Sequence, residues 1–126
     1  MALQENRPIS ERYITVEIPD LSTGSDTSVA VPFRGYLKRV VSCINNAITG
    51  ADAAITVKKN GAGSAIATLT VTQSGSAQGD VDSVDIAPSS SAHFSDANGD
   101  FVEVVTDGGS TTTCRTQVIL VFEDRG

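Results

Sequence analysis

Apolar and polar residues alternate along most of the chain from Arg12 onward, which is the period of a strand with one buried face. Ile14, Val16 and Ile18 alternate with Tyr13, Thr15 and Glu17 until Pro19 ends the run. After the turn-rich stretch DLSTGSDTS, the run SVAVPF sets Val29, Val31 and Phe33 on one face, and Pro32 marks a strand end or a sheet edge. Gly35 allows a bend into YLKRVVSCINNAI, where Leu37, Val41 and Cys43 share one face and Val40 and Ile44 the other, so the pattern leaves the buried face open. Two β-rich runs flank Asn60-Gly61, a pair that tolerates positive φ and predicts a tight hairpin turn. DVDSVDI predicts a short strand and FVEVVT another, with Asp107-Gly108-Gly109 as a turn. In TTTCRTQVILVFED, Cys114, Thr116, Val118, Leu120 and Phe122 fall on one face, as in a long central strand.

These runs number about eight, with turn signals between them, and no window carries a sustained 3.6-residue stripe. The spacing predicts an all-β fold, an antiparallel β-sandwich that is jelly-roll-like. Short helical turns fit near Gly50 to Ala54 or within Ser89 to Asn98. Residues 1–11 are polar, carry Pro8 and show no period. They predict a flexible N-terminal arm ahead of a single domain over 12–126.

Composition agrees with this reading. Val, Ile, Ala and Thr dominate, Trp is absent, and β-branched side chains pack well on a pleated surface. A net charge of -6 argues against nucleic acid or an anionic membrane as partner. No apolar stretch is long enough to span a bilayer, and MALQENRPISER lacks the apolar core of a signal peptide, so synthesis in the cytoplasm is expected.

Candidate chemistry is sparse. His93 is the single histidine and reads as a loop residue. Gly75-Ser76-Ala77-Gln78-Gly79 departs from the pattern of a nucleophile elbow. Asp96-Ala97-Asn98-Gly99-Asp100 departs from the calcium-loop pattern and reads as a turn, while Asp80, Asp82 and Asp85 leave calcium as an open alternative. Lys38, Arg39, Lys58 and Lys59 read as solvated outer faces. Cys43 and Cys114 fit neither a zinc site nor a redox motif; two reduced, core-facing thiols are favoured, with a bridge between neighbouring strands as the alternative. No cofactor, no metal site and no catalytic set is expected, so the chain is read as no enzyme.

The stretches GYLKRVVSCINNAITGADAAITVKKNGAG, VTQSGSAQGDVDSVDI and GDFVEVVTDGGSTTTCRTQVILVFE resemble the head decoration, or cement, proteins of tailed bacteriophages. The resemblance covers residues 35–123 and rests on ITGADAAITV, the SGSAQGDVDS loop and the GDFVEVVTDGGS turn. It implies a jelly-roll structural protein of the virion that sits on the outer capsid surface as a dimer or trimer and bridges subunits of the major capsid protein. Arg7, Pro8, Ile9 and Arg12 would then reach a neighbouring subunit. The alternative from the same sandwich is a receptor- or carbohydrate-binding domain of a phage tail or fibre protein.

Overall fold

Strict alternation with β-branched and aromatic side chains on one face gives two antiparallel sheets whose apolar faces meet. The computed structural model describes residues 10–61 and 65–124. One sheet holds β1 (Ser10–Ile18), β9 (Thr116–Asp124), β3 (Gly35–Ile44) and β6 (Val81–Asp85) in that order, with the two-residue β7 (His93–Phe94) pairing the start of β3. The other holds β2 (Gly24–Ala30), β8 (Phe101–Asp107), β4 (Ala53–Lys59) and β5 (Ala67–Val71). Setting β7 aside, the first strand pairs the last and the second pairs the last but one, while β4 and β5 form the innermost hairpin. That is a long hairpin rolled into two layers: the jelly roll, with eight full strands and one short one among the described residues.

The core lies between the layers. Val16, Ile18, Val118, Leu120, Phe122, Leu37, Val40 and Ile44 point inward from one sheet, and Val102, Val104, Ile55, Val57, Leu69 and Val71 from the other. Full burial of each such side chain contributes roughly 1.5–3 kcal/mol. Phe122 stands edge-on to both Phe33 and Phe94, at 5.1 and 5.6 Å between ring centroids, and fills one end of the sandwich. Loops cap the layers through Leu21, Ile48 and the buried Cys114.

Several sequence expectations change here. β1 starts at Ser10, so residues 10 and 11 already pair with Asp124 and Glu123. β2 covers Gly24–Ala30, a stretch assigned above largely to a turn. It is an edge strand, and its inward Ser25 is satisfied by Thr106, whose Oγ1 accepts from the Ser25 amide at 3.1 Å and lies 3.0 Å from the Ser25 hydroxyl. A bulge at Lys38 shifts the parity of β3, so that Leu37 and Val40 both face the core. The same shift turns Cys43 outward, against the expectation of a core-facing thiol. Cys114 is buried, but it precedes β9 and is not part of it.

The β4–β5 hairpin forms, with Val57 opposite Ala67 as its last ladder pair, so the connection is a longer loop than a tight two-residue turn. Asn60 and Gly61 do adopt positive φ, 55° and 68°. Short 3-10 turns occur at Ser90–Ala92 and Asp96–Asn98. His93 is a strand residue whose ring stands edge-on to Tyr36 at 4.8 Å, not a free loop residue. Lys59 is also not on a solvated face: its ammonium lies 3.8 Å from Asp100 and 5.7 Å from the centre of the Phe94 ring. At the turn after β8, a Cβ on Gly109 would stand 2.3 Å from the Asp52 carbonyl oxygen, so only glycine fits where these loops cross.

Candidate interaction face

The side chains that alternate away from the core on β1, β9, β3 and β6 form one broad surface. Register fixes who stands beside whom. Tyr13, Val121, Arg39 and Asp85 make one row across the sheet, and Thr15, Ile119, Val41 and Ser83 the next. Glu17, Gln117, Cys43 and Val81 make the third. No second layer covers these rows among the described residues, yet Val121 is only 5% exposed, set between the longer Tyr13 and Arg39. Tyr13 and Val81 are each 61% exposed, and both exposed large hydrophobics of the described residues lie on this one face.

Ion pairs frame the apolar stripe. The Lys38 ammonium donates to Glu11 and lies 3.5 Å from Glu123. Arg39 Nε donates to Asp85 Oδ1 at 2.8 Å, and Arg115 Nη1 to Glu17 Oε2 at 3.2 Å. Tyr13 Oη donates to Glu11 Oε1 at 2.9 Å. The hydrogen bond from Lys38, helped by that from Tyr13, holds the Glu11 carboxyl below its ordinary range, and in return raises the pKa of Lys38. Tyr13 is pushed up by the Glu11 carboxylate it donates to. These exposed pairs fix side-chain geometry more than they stabilise the fold.

Beside the third row is a shallow depression of about 300 Å³ lined by Glu17, Cys43, Asn45, Arg115 and Gln117. Its lining is polar and offers donors and acceptors but no aromatic platform. The Cys43 thiol reaches toward the Gly79 carbonyl at 3.8 Å.

β1 is an edge strand, with β9 on its inner side and no strand on the other among the described residues. Of the residues singled out for partner contact, Arg7, Pro8 and Ile9 lie outside the described residues. Arg12 is on β1 opposite Phe122, exposed, with its guanidinium 5.4 Å from the centre of the Phe33 ring. It is therefore part of the sheet edge and stacks on its own domain. Nothing in the apolar pattern links Val81 with Tyr13, since only strand order across the sheet brings them to one face.

The acidic candidates separate. Asp85 pairs with Arg39, Asp80 accepts from the Ala77 amide at 2.8 Å, and Asp82 lies on the opposite face of β6. Asp100 accepts from Asn60 and Ser95 at 3.0 and 2.9 Å. Among the described residues, no group of three or more His, Cys, Asp or Glu converges in a way that could hold a metal ion. No described helix is long and apolar enough to cross a membrane.

No family model matches the chain, and neither does any curated protein. The chain is similar to several solved structures. It is similar to a family 6 carbohydrate-binding module, with 16% identity, a TM-score of 0.49, and 82% of this chain and 69% of that one covered. It is similar to a chain of the cyanophage Pam1 capsid asymmetric unit, with 18% identity, a TM-score of 0.49, and 91% and 84% covered. A third similar structure is CsCBM6-3 from Clostridium stercorarium, solved in complex with cellobiose, with 15% identity, a TM-score of 0.48, and 96% and 85% covered.

Proposed function

We propose that this chain is a structural virion protein that binds the outer surface of a phage capsid and stabilises it by bridging coat subunits, without enzymatic activity. The observation that carries the reading is the position of β1. In sequence, residues 1–9 immediately precede the edge strand of the five-stranded sheet, so a partner held by backbone hydrogen bonds along that edge would also meet Arg7, Pro8 and Ile9. Arg12, stacked on Phe33 at the same edge, presents a fixed cation there. The resemblance of residues 35–123 to head decoration proteins supports the same reading. So does a well-packed β-branched core, which suits a brace. The partner is the major capsid protein and the location is the outside of the virion.

The test is to mix the purified chain with expanded heads and follow both binding and the temperature of head rupture. Binding with a raised rupture temperature is expected, and a chain lacking residues 1–9 is expected to bind more weakly. No binding at roughly micromolar concentration would overturn the reading.

The polar depression at Glu17, Cys43, Asn45, Arg115 and Gln117 favours a second reading, a carbohydrate- or receptor-binding domain of a phage tail or fibre. A glycan array separates the two. Hits abolished by Gln117→Ala, together with absence of head binding, would move the assignment to the second.

A further inference from the structure

We infer that the outer face of the five-stranded sheet is a docking surface for a second copy of this chain, packed face to face about a two-fold axis with Tyr13 of each copy on Val81 of the other. The resemblance implies a dimer or trimer without saying which face pairs; the isolated sheet assigns the face, independently of any binding to a capsid.

Three observations carry it. The first is exposure: Tyr13 and Val81 are the exposed large hydrophobics of the described residues, and both belong to this face. An isologous interface needs one patch that complements itself, residue i meeting j while j meets i. Tyr13 is in the first row on the β1 edge and Val81 in the third row on the β6 edge. Three strand spacings and four residues separate them, about 14 Å across the sheet and about 14 Å along it. A two-fold axis in the interface plane, perpendicular to the line joining them, exchanges the two positions. Strands of the two copies then cross at roughly 90°, the orthogonal class of sheet packing. The half-buried Ile119 and Val41 fall at the centre, where the copies are closest.

The second is charge. Two copies of a chain of net charge -6 repel unless they meet where charge is compensated. This face carries three cations, Lys38, Arg39 and Arg115, against four carboxylates, Glu11, Glu17, Asp85 and Glu123, leaving -1, and each cation is ion-paired. The remaining -5 lies elsewhere on the chain.

The third is what happens at the other two corners. The axis runs through the corners occupied by Asp85 and Glu17, where like charges of the two copies approach. Arg39 and Arg115 are already bonded to those carboxylates and bring a cation to each corner.

The face spans only about 20 Å each way, which places the interface at the small, weak end of the range. Sedimentation equilibrium of the intact chain from roughly 5 to 500 μM is therefore expected to show a monomer–dimer equilibrium. Val81→Asp, at a position that the fold leaves open, is expected to weaken it at least about ten-fold with melting temperature unchanged, and Tyr13→Ser to weaken it likewise at some cost in stability, because Tyr13 also covers Val121. For the geometry, single-cysteine probes Tyr13→Cys and Val81→Cys are made in a Cys43→Ser background. On mild oxidation the mixture is expected to cross-link at least about ten-fold faster than either variant alone. A monomer throughout the range, a dimer indifferent to both substitutions, or like-with-like cross-linking would each overturn the inference. Binding to heads is scored separately on the same variants. Heads that bind a strictly monomeric chain would leave the capsid reading standing and remove this one.

Discussion

Asn60 and Asp100, forty residues apart, lock two loops together: the Asn60 Nδ2 donates to Asp100 Oδ1 at 3.0 Å while its own Oδ1 accepts from the Phe101 amide at 2.8 Å. Asn60 takes the left-handed conformation, φ 55°, that asparagine tolerates better than most residues. Its amide also donates to the Phe101 carbonyl at 2.9 Å. The second oxygen of Asp100 accepts from the Ser95 amide and faces the Lys59 ammonium. One carboxylate, 7% exposed, thus ties the β4–β5 connection to the turn that enters β8.

The first prediction concerns acid. Asn60 above all, then the Ser95 amide and Lys59, hold the Asp100 carboxyl below its ordinary range, against the opposing effect of burial. The folded chain therefore binds fewer protons than the unfolded one near pH 4, so stability rises with pH through that window and is lost as pH falls below it. Asp100→Asn is expected to lower stability by about 1–3 kcal/mol at pH 7. That deficit should narrow below pH 4. Melting curves across pH 3 to 7 check it, and a deficit independent of pH would remove the carboxylate's charge from the account.

Ser42 yields a prediction of opposite sign. It faces the core from β3, is 1% exposed, and its hydroxyl has no hydrogen-bond partner among the described residues. A buried polar group without a partner carries a desolvation penalty of about 1–3 kcal/mol. Ser42→Ala is expected to raise the melting temperature. Chemical denaturation measures it, and a loss of more than about 1 kcal/mol would mean that the hydroxyl is satisfied in solution.

The two thiols should differ in reactivity. Cys43 faces outward on β3 and is half-buried, while Cys114 is enclosed, its Sγ 3.4 Å from the Asn46 carbonyl oxygen. Thiol titration of the native protein is expected to count one fast group, and denaturant without reductant should release a second. Cys43→Ser should abolish the fast phase. A count of zero in denaturant would instead indicate a disulfide.

Legibility in the sequence followed how far apolar identity and direction coincided. For β9 both the strand and its inward set Thr116, Val118, Leu120 and Phe122 could be read in advance, and for β4 and β8 the strands themselves. β2 could not, because Gly24, Ser25, Asp26 and Thr27 are turn-forming types whose strand conformation depends on Thr106 and β8 across the sheet. The face of β3 was hidden by the bulge at Lys38, which reverses parity midway and carries Cys43 outward with it. For the candidate face, Tyr13 was visible as an outward residue of β1. Val81 was not, since its short run has no consistent period and its neighbours come from three other strands.

The pairing order has a consequence for synthesis. The final strand is not added at an edge: β9 fills the gap between β1 and β3, and β8 the gap between β2 and β4. Until residues 101–124 leave the ribosome, both layers lack a middle, and the apolar faces of β1, β3, β4 and β5 have no complete sheet to join. Folding of both layers must wait for residues 101–124 and then close contacts between strands far apart in sequence, which slows it and leaves open strand edges exposed meanwhile. A chain stalled shortly before Phe101 is therefore the form most prone to pair its strands with those of another nascent copy.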